Sequence, residues 1–125
     1  MRKRRVVVLG ATGSIGQSAA KVARDIPDRM EIVGVSANSN ARKLAETANE
    51  FRPGAVCLTD ERHLEELKAH LNYNPRILVG EEGLVELAKL EEADMVLIAI
   101  VGTGGLRPAL AATESGKDID RKSVV

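Results

Sequence analysis

Three glycines are the residues whose type and spacing most plainly invite chemistry. In "VVVLGATGSIGQS", Val6 to Ser18, the residues Gly10, Gly13 and Gly16 recur at steps of three behind four apolar positions. Glycine is costly inside regular structure, so a run of it marks a place where backbone must turn tightly or approach something closely. If a strand ends at Leu9 and a helix starts soon after, the helix presents unpaired N–H groups and the positive end of its dipole, which suit a phosphate. In that arrangement Gly10 permits the turn, Gly13 removes the Cβ that would hold backbone away from a pyrophosphate, and Gly16 lets helix and strand pack closely. Thr12 and Ser14 add hydroxyls to the same rim. The spacing is one residue longer than the usual dinucleotide fingerprint, so its weight comes from context: a strand before it and a helix after. The alternative is a structural glycine turn without a ligand.

A second stretch bears on which nucleotide. NAD-preferring sites usually carry an acid at the end of the second strand, accepting from the ribose hydroxyls. Here that position reads Val35-Ser36-Ala37-Asn38-Ser39-Asn40 with no acid, and Arg42 and Lys43 follow. Small polar groups near cations suit a 2′-phosphate, so NADP is favoured. The same residues could serve only to cap a helix starting near Ala41, through Ser39 or Asn40, and the two roles are compatible. A further glycine cluster, Gly102-Thr103-Gly104-Gly105, follows the apolar run Ala93 to Val101 and is expected on the same side of the sheet as Gly13.

Elsewhere the candidates are weak. His63 and His70 lie seven apart among Glu61, Glu65 and Glu66, too far for one metal without a fixed third ligand. Cys57 sits in the apolar run Ala55 to Leu58, with nothing placed to activate it. Glu81-Glu82 and Glu91-Glu92 read as solvated helix ends. No catalytic residue and no metal ligand is assigned within the chain.

The elements that must position these residues alternate. Apolar runs at Arg5–Leu9, Glu31–Ser36, Ala55–Leu58, Arg76–Val79 and Met95–Val101 are mostly continuous, as for parallel strands covered on both faces. Helical spacing separates them: Ile15, Ala19, Val22 and Ile26; Ala41, Leu44, Ala45 and Ala48; Leu64, Leu67 and Leu71; Leu84, Leu87 and Ala88; and Leu106, Ala109, Leu110 and Thr113. Five βα units predict an α/β fold: a Rossmann-like open, mostly parallel sheet with helices on both faces. The chain has 125 residues, 44 % of them apolar but only 2 % aromatic, so the core must be aliphatic. With 18 basic and 18 acidic residues the net charge is zero, and nothing asks for a nucleic acid or an anionic membrane. The basic start, Arg2 to Arg5, precedes too short an apolar run for a signal peptide. The single cysteine fits a reducing compartment, and the cytoplasm is the expected location.

The stretches "LGATGSIGQSAAKVARD", "VSANSNARKLAE", "GEEGLVELA" and "AIVGTGGLRPALAA" together resemble the N-terminal, NADPH-binding domain of the 1-deoxy-D-xylulose 5-phosphate reductoisomerase family. The likeness runs from about Arg5 to Ile119, and its last motif separates it from other NADP-dependent families sharing "GATGSIG". It implies an oxidoreductase that rearranges and reduces its substrate on the non-mevalonate route to isoprenoid precursors, using NADPH with a divalent Mg or Mn ion. By the same likeness Thr12, Gly13, Ser14 and Ile15 contact the cofactor phosphates, and Ala37, Asn38, Ser39 and Asn40 surround its adenosine end. Ala99, Ile100, Val101 and Gly102 run along it toward the nicotinamide.

The departure comes at the end. Family members continue with a short apolar strand and an Asn- or Ser-Lys-Glu segment, whereas this chain reads Asp120-Arg121-Lys122-Ser123-Val124-Val125. A buried strand does not tolerate three such charges. The expected organisation is therefore a cofactor-binding domain over 1–119 and a divergent tail over 120–125, without the family's metal carboxylates, substrate-phosphate site or closing loop. A sheet edge left bare by the missing strand makes self-association into a homo-oligomer an expectation. Two functions stay open: the NADPH-binding part of a reductoisomerase, catalytically incomplete alone, or a stand-alone dinucleotide-binding or interaction module without that activity.

Overall fold

The computed structural model describes residues 3–100 and 106–121. Its elements follow the order β1 (Arg4–Leu9), α1 (Ser14–Asp25), β2 (Met30–Ala37), α2 (Ala41–Phe51), β3 (Ala55–Leu58), a 3-10 turn (Glu61–His63), α3 (Leu64–His70), β4 (Arg76–Val79), α4 (Gly80–Ala88), β5 (Met95–Ile98), α5 (Leu106–Glu114) and β6 (Asp118–Arg121). The strands form one sheet in the order β4-β3-β2-β1-β5-β6, with every neighbouring pair parallel. The expected α/β sheet with helices on both faces is the fold observed.

Two apolar layers explain the continuous strands. Val6 and Val8 face the layer covered by α1, α2 and α3, where Ala19, Ala23, Leu44, Ala48 and Leu67 meet Ile32, Val35 and Val56. Val7 and Leu9 face the opposite layer, with Leu84 and Leu87 of α4 and Ala112 of α5. Strand side chains alternate between faces, so a strand covered on both sides must be apolar throughout. The residues Val7, Val8 and Leu9 are 0–1 % exposed.

Three sequence expectations need correction. The apolar stripe of α1 was drawn through Ile15, Ala19, Val22 and Ile26, but the helix buries Gly16, Ala19, Ala20 and Ala23. Small residues let α1 lie close to the sheet, which leaves Val22 and Ile26 47 % and 38 % exposed. The strand expected to reach Val101 ends at Ile98; Ala99 and Ile100 follow it outside regular structure, and Val101 to Gly105 lie outside the described residues.

The third concerns the tail. The charged segment was expected to leave a strand missing, yet Asp118–Arg121 pairs in parallel with β5. It does so as the edge strand among the described residues, where charge on the open side can stay in water. Asp118 keeps its side chain 74 % exposed and pairs with Arg4 at 2.8 Å, while Ile119 packs into the layer under α4 and α5. A boundary at Ile119 thus falls inside β6. The last four residues, Lys122 to Val125, lie outside the described residues.

Candidate functional site

The strand order reverses at β1: β2, β3 and β4 lie to one side and β5 and β6 to the other. Helices leaving neighbouring strands to opposite faces open a crevice at the strands' carboxyl ends. Here that crevice is a cleft of about 620 Å³.

Its floor is the turn after β1. Gly10 has φ +86°, and a Cβ there would lie 2.6 Å from the Ala99 carbonyl oxygen, so glycine is required for both conformation and space. Its N–H donates to Ser36 Oγ at 3.0 Å, the next amide, Ala11 N–H, donates to the Ser36 carbonyl at 2.8 Å, and Ala99 N–H donates to the Leu9 carbonyl at 2.8 Å. The turn is thereby fastened to β2 on one side and to the end of β5 on the other. Ser36 is 1 % exposed, and its hydroxyl satisfies an amide that the turn would otherwise leave without a partner.

Gly16 has a different reason to be glycine. A Cβ there would sit 2.2 Å from the Gly10 carbonyl oxygen, so the first turn of α1 presses directly on the turn below it. Gly13 has neither constraint. It is the N-cap of α1 with φ −79° and ψ 175°, conformations open to any residue, and its imagined Cβ meets only Gly10 O at 3.8 Å. Among the described residues nothing else lies within 4 Å of that Cβ position. The first turn of α1 carries no acidic residue and no side-chain cap, so no side chain among the described residues satisfies the amides at its N-terminus.

Of the sequence-assigned residues, Gly10, Thr12, Gly13, Ala37, Asn38, Ala99 and Ile100 line the cleft together. Ser14 and Gly16 stand behind the rim in the first turn of α1. Ile15 belongs to a separate apolar groove of about 320 Å³, between α1 and the sheet, with Val22, Met30 and Met95. Ser39 precedes α2, and Asn40 caps it, its Oδ1 accepting from Lys43 N–H at 3.2 Å. Val101 and Gly102 lie outside the described residues. The cations Arg42 and Lys43 do not line the cleft: Arg42 is exposed, and Lys43 borders a hollow between α1 and α2 with Arg24 and Glu50.

Sequence reasoning missed Ser36, Thr59, Glu81 and Leu84, which also line the cleft. Thr59 follows β3 and donates to Asn38 Oδ1 at 2.6 Å. Glu81 is more than a solvated helix end. It brings a carboxylate from the first turn of α4 to the cleft wall, where Arg107 of α5 pairs with it at 3.5 Å and with Glu82 at 2.8 Å. The side-chain bonds to those two carboxylates hold the Arg107 guanidinium above its ordinary value.

The remaining candidates stay away from the cleft. Burial pushes the Cys57 thiol up to about 12, which suppresses the thiolate at neutral pH. His63 lies 3.8 Å from Asp60 and 3.7 Å from Glu66, and His70 Nδ1 is 2.9 Å from the Glu66 carbonyl. Hydrogen bonds from Arg62 hold the Asp60 carboxyl down at about 2. Among the described residues, no three His, Cys, Asp or Glu side chains converge as a metal site would require. Asp94 sits at the amino end of β5, opposite the cleft, accepting from Arg5 N–H at 3.0 Å. No described helix is long and apolar enough to cross a membrane.

A glycine-turned helix N-terminus over the switch point of a parallel sheet defines the class: a Rossmann-like α/β domain. The comparison with known proteins then makes the assignment specific. A sequence model of 1-deoxy-D-xylulose 5-phosphate reductoisomerase matches residues 6–120, and the chain belongs to that family. It is 40 % identical over 119 residues to the reductoisomerase of Microcystis aeruginosa and 44 % over 116 residues to that of Thermodesulfovibrio yellowstonii, each match covering 93 % of this chain. The chain spans about 30 % of the length of these relatives. Among solved structures, the Zymomonas mobilis reductoisomerase in complex with NADPH superposes with a TM-score of 0.90 at 33 % identity, covering 98 % of this chain and 32 % of that one. A reductoisomerase in complex with magnesium gives 0.86 at 38 % identity, covering 94 % and 30 %.

Proposed function

We propose that this chain is the cofactor-binding part of a 1-deoxy-D-xylulose 5-phosphate reductoisomerase, holding NADPH in the cleft above β1 and β5. The observation that carries the reading is the geometry at Gly13, an N-cap of ordinary φ whose Cβ position is uncrowded by the described residues. Gly10 and Gly16 are explained by the fold itself, but among the described residues Gly13 has neither a positive φ nor a Cβ contact closer than 3.8 Å, and a ligand accounts for a glycine there. A pyrophosphate fits, because the uncapped amides of α1 are donors and the helix end is positive. When bound, the reduced nicotinamide supplies a hydride to a substrate carbonyl.

This chain's own residues bind and orient. Thr12 and the Gly13–Ile15 backbone take the phosphates, Ala37 to Asn40 flank the adenosine end, and Ala99 to Gly102 guide the other half of the dinucleotide. Preference for NADPH over NADH follows from the absence of an acid after β2, where a carboxylate would repel a 2′-phosphate. The relative from Zymomonas mobilis, solved with NADPH, supports the same choice. We assign the chain to the cytoplasm, on its single buried cysteine.

Polarising a substrate needs a hard cation with several oxygen ligands at one point. Asp94 and Asp118 lie at the amino end of the sheet, and among the described residues the carboxylate that reaches the cleft, Glu81, is paired with Arg107. We therefore read the 125-residue chain as catalytically incomplete alone. Titration of NADPH and NADH by calorimetry tests the cofactor reading: tighter NADPH binding is expected, and equal affinities or tighter NADH overturn the assignment of Ala37–Asn40 to a 2′-phosphate.

A further inference from the structure

We infer that Thr59 is a positioning residue for cofactor choice: it turns the side-chain amide of Asn38 so that N–H donors, and not the carbonyl oxygen, are left for the ligand. The inference rests on the NADPH reading and refines it.

Residue 59 follows β3, which is registered against β2 with Leu58 opposite Ala37. Beyond the last ladder pair the two loops stay joined. Thr59 N–H donates to the Ala37 carbonyl at 3.0 Å, and Asp60 N–H donates to the Asn38 carbonyl at 2.8 Å. The backbones of the two residues are thus fixed relative to each other before any side chain acts. The Thr59 hydroxyl then donates to Asn38 Oδ1 at 2.6 Å, a short O–H···O bond. Its other contact, the Ala37 carbonyl at 3.5 Å, is longer and meets an oxygen already bonded to the Thr59 amide.

An asparagine amide has one accepting end and one donating end, and by itself can present either. With Oδ1 held by Thr59, the end left free is Nδ2, for which no described residue supplies an acceptor. Asn38 is exposed and both residues line the cleft, so this donor pair stands where a ligand passes. A phosphate monoester at neutral pH offers acceptor oxygens. A ribose hydroxyl both donates and accepts, and pairs with an amide in either orientation. Fixing the donor end therefore favours a 2′-phosphate over a 2′-hydroxyl. The device matters because neither Arg42 nor Lys43 lines this part of the cleft.

The test uses the whole 125-residue chain and two replacements. Thr59→Val keeps the branched shape and removes the hydroxyl; Thr59→Ser keeps the hydroxyl. NADPH and NADH are titrated by calorimetry into each, and thermal melting checks the fold. Thr59→Val is expected to weaken NADPH about fivefold, the worth of roughly one hydrogen bond, and NADH less than twofold, so the preference shrinks. Thr59→Ser is expected to restore the parent ratio. If Thr59→Val leaves the NADPH-to-NADH ratio unchanged, whether both affinities hold or both fall together, the positioning role is overturned while the cofactor reading stands. If the parent binds neither dinucleotide, the cofactor reading fails and the inference with it. Should Thr59→Val not fold, Asn38→Ala removes the same donors from an exposed position, and an unchanged ratio there overturns the proposal equally.

Discussion

Replacing Gly13 separates what the fold requires from what the ligand requires. In the free chain the position has φ −79° and ψ 175°, and a Cβ would be 3.8 Å from its nearest neighbour, Gly10 O. Gly13→Val therefore adds a Cβ that, among the described residues, meets only ordinary contact. It loses the modest N-cap preference of glycine and gains from a stiffer unfolded chain, so its stability should stay within about 1 kcal/mol of the parent. Gly10→Ala and Gly16→Ala are the controls. Their Cβ atoms would lie 2.6 and 2.2 Å from backbone oxygens, and Gly10 also has a positive φ. Each should cost more than about 3 kcal/mol or prevent folding. For binding the order reverses. A side chain at 13 holds the pyrophosphate away from the amides, and two hydrogen bonds to charged oxygens are worth about 1.5–3 kcal/mol each. Their loss, about 3–6 kcal/mol together, weakens NADPH by roughly 10²- to 10⁴-fold. Calorimetric titration alongside a thermal melt measures both quantities. A Gly13→Val protein that is folded and binds NADPH as the parent does would show that the phosphates are held elsewhere.

Two further outcomes follow from the same structure. Given 1-deoxy-D-xylulose 5-phosphate, NADPH and Mg²⁺ or Mn²⁺, the 125-residue chain should turn over no substrate, followed by reduced-nicotinamide absorbance; turnover above a Gly13→Val control would make Glu81 and residues 118–122 catalytic candidates. Cys57 is raised from 9.0 to about 12 by burial, so the stability it contributes is complete below about pH 9 and lost as pH rises toward 12. A Cys57→Ala chain should show a shallower decline of melting temperature over that window, and an identical decline in both proteins would refute the assignment.

Much of this was legible in the sequence because the central strands are buried on both faces and cannot hide their apolar runs. The spacing of Gly10, Gly13 and Gly16 located the turn, and Asn40 was among the named caps. Residues whose importance depends on strand order escaped. Ser36 reads as an interruption near the end of β2, and only the neighbouring position of β1 shows that its hydroxyl meets Gly10 N–H. Glu81 reads as a solvated helix end because the chain gives no hint that α4 reaches the switch point. The error over β6 had another cause: a rule about charge in buried strands was applied to an edge, where Asp118 reaches water while Ile119 turns inward. Val22 and Ile26 misled for a related reason, since helical spacing identifies an apolar side but not how closely a row of alanines and glycine can approach the sheet.

The turn proposed to cradle the phosphates leads out of β1, and β1 lies with three strands on one side of it and two on the other. Strands at the margins of a sheet can open by local fluctuation, whereas a central strand separates from its neighbours only when most of the domain does. The proposed cradle is thus tied to the part of the molecule expected to have the highest opening free energy. A dinucleotide entering it meets amides already held in place, so little of its binding energy goes into ordering the protein. The stabilisation it returns is correspondingly shared by the whole domain, because the unit that must break to release the cradle is the sheet itself.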